Sequence, residues 1–389
     1  MPTDTTGRKP SRGHAPSAAR HSARPPAKKA GPPVCRNAAG RSRATHPDAR
    51  SRQARLYRQR RKRRARIGFM VALVLLIALG GGFVALRAND GNTPSAAPGV
   101  AATSAAQETS GTQIQYDTPM AAEIARRMGE KAVIDASEEN SAWVENGRVT
   151  VVGENDCGQC DTGAWEDVAA VALGADHTVG LTQQGTLLFA GDNSFRQCAL
   201  QPTGRVVSIA ASARATYAVL EDGRVQMCGN SVVIPTELAH EDNVAAIAAS
   251  DSHVVLLRKD GTVAAYGANT AGECDVEAWT DIVMIDCGYN ATIALDADGG
   301  VHIAGDTAYG QAALDGADGA VSIAAGGNFC LVVFRDGSVR GAGSNSRGQI
   351  DVDGWSDVRA AACGYMHSIG LTGTNSRLFA GSNSYGQFG

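Results

Sequence analysis

A glycine returns every 38 residues through the last two thirds of the chain, at Gly153, Gly191, Gly229, Gly267, Gly305, Gly343 and Gly381. The period never slips, and seven units of 38 counted back from Gly389 begin at Ile124. A period of this length restricts the chain to a solenoid, a propeller or an array, because one such unit cannot bury its own apolar face. Around Gly267 the segments Val244-Ala245-Ala246-Ile247, Val254-Val255-Leu256-Leu257 and Val263-Ala264-Ala265-Tyr266 read as short strands parted by turns. Asn146-Gly147, Gln184-Gly185, Asp222-Gly223, Asp260-Gly261, Asp298-Gly299 and Asp336-Gly337 fall at one register, with Thr374-Asn375 in the last unit. Asn-Gly and Asp-Gly favour the positive backbone angles of a tight hairpin. No unit carries a helix-length amphipathic segment, which excludes the helical solenoids. Seven all-β units with no capping element favour radial closure, since a ring leaves only short, protected edges. The expected fold is an all-β, seven-bladed β-propeller over 124–389.

The 123 residues ahead of the array are of a different kind. Residues 1–66 hold 20 of the 36 Lys and Arg and only Asp4 and Asp48 among acids, a net of +18 that leaves −21 for the rest. Rich in Arg, Pro, Ala, Ser and Gly, this stretch is expected to be a disordered basic tail, having too little apolar surface to offset chain entropy. Residues 67–86 are 20 positions without a charge between Arg66 and Arg87. At about 1.5 Å per residue they match a hydrocarbon core of roughly 30 Å. A leading region of 66 residues is too long for a cleaved signal peptide, so a single uncleaved transmembrane helix is expected. The excess of Lys and Arg before it predicts a cell-membrane protein with a cytoplasmic amino terminus and an extracytoplasmic propeller. The basic run at 58–66 reads as a topogenic flank or as an arm for anionic lipid headgroups; nucleic acid is not expected as a partner. Residues 87–123 form a flexible Ser-, Thr-, Ala- and Gly-rich linker ending in a short helix around 119–128 with Ile124 and Met128 on one side.

Motifs for chemistry are missing. There is no Gly-x-Ser-x-Gly elbow, no Gly-rich loop followed by Lys-Ser or Lys-Thr, and no His-Glu-x-x-His. His177, His253 and His367 share a register whose other members are Glu139, Ala215, Ala291 and Phe329. Three blades of seven make an irregular metal site, and bonds to backbone within the blade are the simpler expectation. Trp165, Trp279 and Trp355 read as packing between blades. Acids between the units lack the spacing of a calcium loop and read as a solvated rim. The cysteines read mainly as small hydrophobes, with a Cys157–Cys160 bridge left open. No cofactor and no metal are expected.

Units aligned on Trp165-x-Asp-Val-x-x-Val-x-x-Gly174-x-x-His177-Thr-Val-Gly-Leu-Thr and Trp355-x-Asp-Val-x-x-Ala-x-x-Gly364-x-x-His367-Ser-Ile-Gly-Leu-Thr share one pattern. It runs on into Gly343-Ser-Asn345-Ser-Arg-Gly348-Gln349 and Gly381-Ser-Asn383-Ser-Tyr-Gly386-Gln387. Over residues 124–389 the chain resembles the regulator of chromosome condensation repeat family, which implies a seven-bladed propeller. In unit size it is similar to the secreted bacterial β-lactamase inhibitor proteins of the second type. That likeness implies a non-catalytic module holding a protein partner by loops on one face.

Two sets of positions vary on this repeating frame. Four residues after each marker glycine come Cys157, Phe195, Val233, Ala271, Tyr309, Arg347 and Tyr385. A pair before the histidine register runs Ser137-Glu138, Ala175-Asp176, Ala213-Arg214, Asp251-Ser252, Tyr289-Asn290, Gly327-Asn328 and Tyr365-Met366. If both open on one face, Phe195, Arg196, Tyr289, Tyr309, Arg347, Tyr365 and Tyr385 are the candidate partner-binding residues, since aromatic and Arg side chains dominate interfaces. The expected function is membrane-anchored, non-catalytic binding of a protein or glycan outside the cytoplasmic membrane. The alternatives are a scaffold subunit of an envelope assembly and a surface hydrolase or lyase using rim acids.

Overall fold

The computed structural model describes residues 118–231, 238 and 240–389. The expectations for the basic tail at 1–66, the apolar span at 67–86 and all but the end of the linker lie outside the described residues. Among the described residues no helix is long and apolar enough to cross a membrane.

Seven three-stranded sheets follow one another at 134–153, 168–191, 206–229, 244–267, 282–305, 320–343 and 358–381. Within each sheet the strands are antiparallel neighbours in chain order, so every blade is a local meander. The first strand of each blade packs against the first strand of the next, and Val358–Cys363 of the last blade meets Ile134–Ala136 of the first. Residues 134–381 therefore form an all-β, seven-bladed β-propeller, with the 3-10 turn Gln311–Leu314 in the connection after blade 5.

Burial accounts for the choice of residues. Middle strands such as His177–Thr182 and Ala215–Leu220 are buried at every position, because each blade is sandwiched between two others. Such strands need apolar or small residues throughout, whereas a half-exposed strand would alternate. A register shift breaks the pairing of first and middle strands at the same place in blades 2 to 7, for example between Val168 and Ala170 and between Val358 and Ala360. Bulges of this kind raise local twist and bend the strand.

Blade 1 departs from its copies. Its hairpin is a two-residue turn with Asn146 at φ 51° and Gly147 at φ 74°, pairing Glu145 with Arg148. The other hairpins carry one more residue. Thr182 N–H donates to Thr186 C=O across Gln183-Gln184-Gly185, and of these only Gly185 has positive φ. The shorter loop slides the middle strand of blade 1 by one residue. Asn140, not Glu139, then pairs with Gly153 as His177 pairs with Gly191.

Pro119–Lys131 forms a helix of 13 residues. Thr118 caps it by accepting from the Ala121 N–H at 3.1 Å, and Pro119 opens it where a missing N–H costs nothing. Its packing is internal: Ile124 is fully buried, and Met120 and Met128 pack against the first strands of the middle blades. Arg127 Nη1 donates to the Val321 carbonyl at 2.8 Å near the start of one first strand, and Lys131 Nζ meets Asp286 Oδ2 at 2.8 Å near the end of another. The helix thus lies in the central channel, running in the same direction as the strands that line it.

Ring closure uses no shared strand. Ile134, Ala136 and Trp143 of blade 1 form one apolar cluster with Ala360, Ala362, Ile369 and Leu371 of blade 7. The Tyr365 N–H donates to Ser137 C=O at 3.2 Å, and Arg377 lies over the Trp143 ring at 4.9 Å.

Candidate functional site

Three strands per blade decide which loops share a face. First and outer strands run the same way, so the loop after the first strand and the loop after the outer strand emerge together. Backbone bonds tie the two in each fully described blade: Asp192 N–H to Asp176 C=O at 2.8 Å, Asp306 to Asn290 at 2.8 Å, Ser344 to Asn328 at 2.9 Å and Ser382 to Met366 at 2.9 Å. Arg214, from the first set of loops, lies over the ring of Phe195, from the second, at 4.8 Å. Both variable sets open on one face, and the hairpins occupy the other.

The outer loops share one hydrogen-bonded frame. The Asn193 Oδ1 accepts from Cys198 N–H at 3.0 Å and the Gln197 Oε1 from Phe195 N–H at 2.9 Å. Asn155 with Gln159, Asn345 with Gln349 and Asn383 with Gln387 repeat the pair, and in blade 4 Glu273 takes the glutamine's place beside Asn269. The frame binds only the main chain of the tip residue. The frame's own bonds do not depend on the tip side chain, so Phe195, Arg347 and Tyr385 can differ on the same scaffold.

Of the seven candidate residues, Phe195, Tyr289, Tyr309 and Tyr365 are the large hydrophobic side chains left exposed, at 40%, 52%, 54% and 43%. Arg196 and Arg347 are exposed and Tyr385 is half-buried. The structure separates them into two groups. Phe195, Arg196, Tyr309, Arg347 and Tyr385 sit on the outer tips, while Tyr289 and Tyr365 stand at the axis, lining a depression of about 130 Å³ to which all seven blades contribute. Glu138 and Asp251 line it too. Sequence reasoning placed both in the variable pairs but not among the site residues, because an acid there looks like any other rim acid until the depression is seen.

Below the depression, Ala136, Leu173, Ala211, Ala249, Cys287, Ala325 and Cys363 narrow the channel, each at the end of a first strand. A second cavity of about 150 Å³ lies between this constriction and the helix. Its charged lining is Lys131, Asp135 and Asp286. Burial pushes the Asp135 carboxyl up to about 6 against the opposing pull of Lys131. Burial also works against the Lys131 ammonium, but Asp286 outweighs it and holds the group above its ordinary value.

The histidines act elsewhere, and each reaches a hydroxyl of the next blade in place of the backbone partner expected within its own, although His253 Nδ1 also meets Ser250 Oγ at 3.0 Å in its own blade. His177 Nε2 lies 3.0 Å from Thr216 Oγ1, His253 Nε2 2.9 Å from Thr292 Oγ1 and His367 Nε2 3.0 Å from Ser141 Oγ, each hydroxyl in the next blade. Thr216 and Thr292 donate to the carbonyls of Gln197 at 2.8 Å and Glu273 at 2.7 Å, so they accept from the imidazoles, whose proton is on Nε2. Burial lowers all three to about 4. Trp165 packs between blades 1 and 2, with Val149 and Val151 on one side and Val168 and Val171 on the other. Cys160 is a free thiol donating to the Glu154 carbonyl at 3.3 Å, so no bridge joins it to Cys157. Among the described residues no group of three or more His, Cys, Asp or Glu could hold a metal ion.

Comparison with known proteins agrees with this architecture. The regulator of chromosome condensation (RCC1) repeat matches residues 168–197 and 320–349, each running from a first strand to the frame glutamine. No curated protein matches the chain. Among solved structures, Prp20p of Saccharomyces cerevisiae, described with its binding to Gsp1p and histones, is 14% identical with a TM-score of 0.51, covering 67% of this chain and 84% of its own. The ectodomain of the Arabidopsis thaliana receptor kinase ACR4 is 12% identical with a TM-score of 0.52, covering 64% and 94%. Human WBSCR16 is 15% identical with a TM-score of 0.50, covering 64% and 86%. At these identities the likeness is one of fold.

Proposed function

We propose that this chain, a propeller of the RCC1 repeat family, binds a protein partner through its tip-loop face without catalysis, and that the apolar span at 67–86 holds it at a membrane with the propeller outside. The observation that carries the reading is the convergence of both variable sets on one face, where four large hydrophobic side chains remain exposed. Scattered exposed hydrophobics are ordinary, but aromatic and Arg side chains gathered on a rigid frame are the composition of interface anchors. Yeast Prp20p, of like fold, is described as binding Gsp1p and histones, which supports a protein as the class of partner. On this reading the basic residues at 58–66 lie against anionic lipid headgroups on the cytoplasmic side.

Replacing Phe195, Tyr309 and Tyr385 together by Ala is the direct test. Phe195 and Tyr309 are exposed and Tyr385 is half-buried, all on loop tips outside the blade strands, so the circular dichroism and unfolding of the variant should stay close to those of the parent. Truncating a true anchor costs about 2 kcal/mol, so capture of a partner cross-linked to and co-purified with the parent should fall tenfold or more, to about a tenth. Undiminished capture by a folded triple variant would remove the outer tips from the site. Protease added to intact cells should reach the propeller; complete protection would reverse the topology.

A further inference from the structure

We propose that the depression on the propeller axis receives a single cationic side chain, Lys or Arg, projecting from the protein partner. The inference rests on the reading of this face as the partner-binding one and supplies the chemistry of its centre.

The lining is sparse. Among the described residues Glu138 and Asp251 are its only charged ones, Tyr289 and Tyr365 its only aromatic ones, and apart from Leu173 the remainder are Ala, Ser, Gly and Cys. No described Lys or Arg lines it. The one basic residue in the neighbouring register, Arg214, is turned outward over the Phe195 ring. One oxygen of Asp251 accepts from the Ala213 N–H at 2.7 Å, which holds the carboxylate in place. Among the described residues no cation pairs with Glu138 or Asp251 at the mouth. Burial, with the carboxylates of Asp251, Asp176 and Glu154, pushes the Glu138 carboxyl above its ordinary value. A cation from outside would relieve this repulsion.

The tyrosines add a second preference of the same sign. Tyr365 lies against Gly327, where a Cβ would come within 2.7 Å of its ring, and the ring is 43% exposed. The Tyr289 N–H is held by the Gly326 carbonyl at 3.2 Å and its ring is 52% exposed. An ammonium or guanidinium is drawn to such ring faces. Opposed carboxylates accept the hydrogen bonds of its charged head, which are stronger than those of a neutral group. About 130 Å³ suits the head and last methylenes of one long side chain rather than a peptide segment. An anionic group would face two carboxylates with nothing to pair it.

The full-length chain, solubilised in neutral detergent and labelled with 3-fluorotyrosine at its eight tyrosines, reads this out by fluorine resonance. Tyr289→Phe and Tyr365→Phe assign the two signals. The probes are N-acetyl-arginine methylamide, its neutral isostere N-acetyl-citrulline methylamide, and N-acetyl-glutamate methylamide. The expected result is a saturable shift of both signals by the arginine probe, with affinity about tenfold or more above citrulline and no response to glutamate. Glu138→Gln should weaken the arginine response at least about threefold while raising the melting temperature, since it removes a repelled charge. Equal shifts with citrulline, or no shift with arginine at concentrations where Tyr309 and Tyr385 are also silent, would overturn the proposal. No partner is needed, so a failure here is distinguishable from a failure of the triple-variant capture test, which concerns the outer tips.

Discussion

Urea unfolding at pH 4.5 is expected to show a midpoint well below that at pH 7.5, with His177, His253 and His367 responsible. Each is neutral and buried at a blade interface, and its pKa is lowered to about 4 from an ordinary 6.5. The unfolded chain takes up three protons as the pH falls through 6.5, and the folded chain takes them up only near 4. The stabilisation these groups contribute is therefore complete above pH 6.5 and is lost progressively down to about 4. On the usual scale each histidine accounts for on the order of 3 kcal/mol when the loss is complete. Asp135 acts in the opposite sense: with its carboxyl raised to about 6, it favours the fold as the pH drops through that value and offsets about one histidine. A net loss on the order of 5 kcal/mol is a large fraction of a domain's stability. Replacing all three histidines by Gln should shrink the difference between the two midpoints. Equal midpoints at pH 7.5 and 4.5 in the parent would show that protons reach the imidazoles without opening the interfaces.

Gly364→Ala is expected to destabilise the ring by about 3 kcal/mol, a magnitude at the top of the range for overpacking. A Cβ at this position would lie 2.2 Å from the Ser137 carbonyl oxygen and 2.3 Å from His367 Cε1. Its φ is not positive, so the obstacle is the approach of blade 1 and not backbone preference. Gly326 meets the next blade in the same way, with the Gly364 carbonyl at 2.6 Å. There the neighbour follows along the chain. At position 364 the neighbouring blade comes from the other end of the array, and the same clash can part the seam. Gly354→Ala is the matched control, with no atom within 4 Å of the added Cβ. Hydrogen exchange of the strand Ile134–Ala136 should accelerate in the first variant and not in the second. Equal urea midpoints for the two would show that the seam relaxes freely.

Properties common to every unit were legible from the period. The three strands recur in every unit, and the hairpin glycines and the Asn and Gly-Gln frame in most, at fixed spacing because the copies meet like neighbours. What one copy does alone was not legible. Asn140 takes the place expected for Glu139 because a single hairpin is one residue shorter, and a 38-residue ruler laid from either side cannot register that slip. The histidine partners were missed because Thr216, Thr292 and Ser141 belong to adjacent blades, and a pattern within one unit does not reveal contacts between units. Tyr289 and Tyr365 were legible as candidates, but their company with Glu138 and Asp251 depended on the radius at which the first strands end.

The helix Pro119–Lys131 also determines how the ring bears load. It enters the channel from the hairpin side, opposite the tip loops, and is about 20 Å long at 1.5 Å per residue. The chain leaves it almost directly into Ile134–Ala136, the strand that forms the seam with the last blade. A pull applied at Pro119 away from the tip loops would run along the helix. It strains the Arg127–Val321 and Lys131–Asp286 contacts together, in shear, before any of it arrives at the seam. Without the helix the same pull would peel the first strand from the ring one hydrogen bond at a time. The buried plug works as a strain relief for a load applied at Pro119.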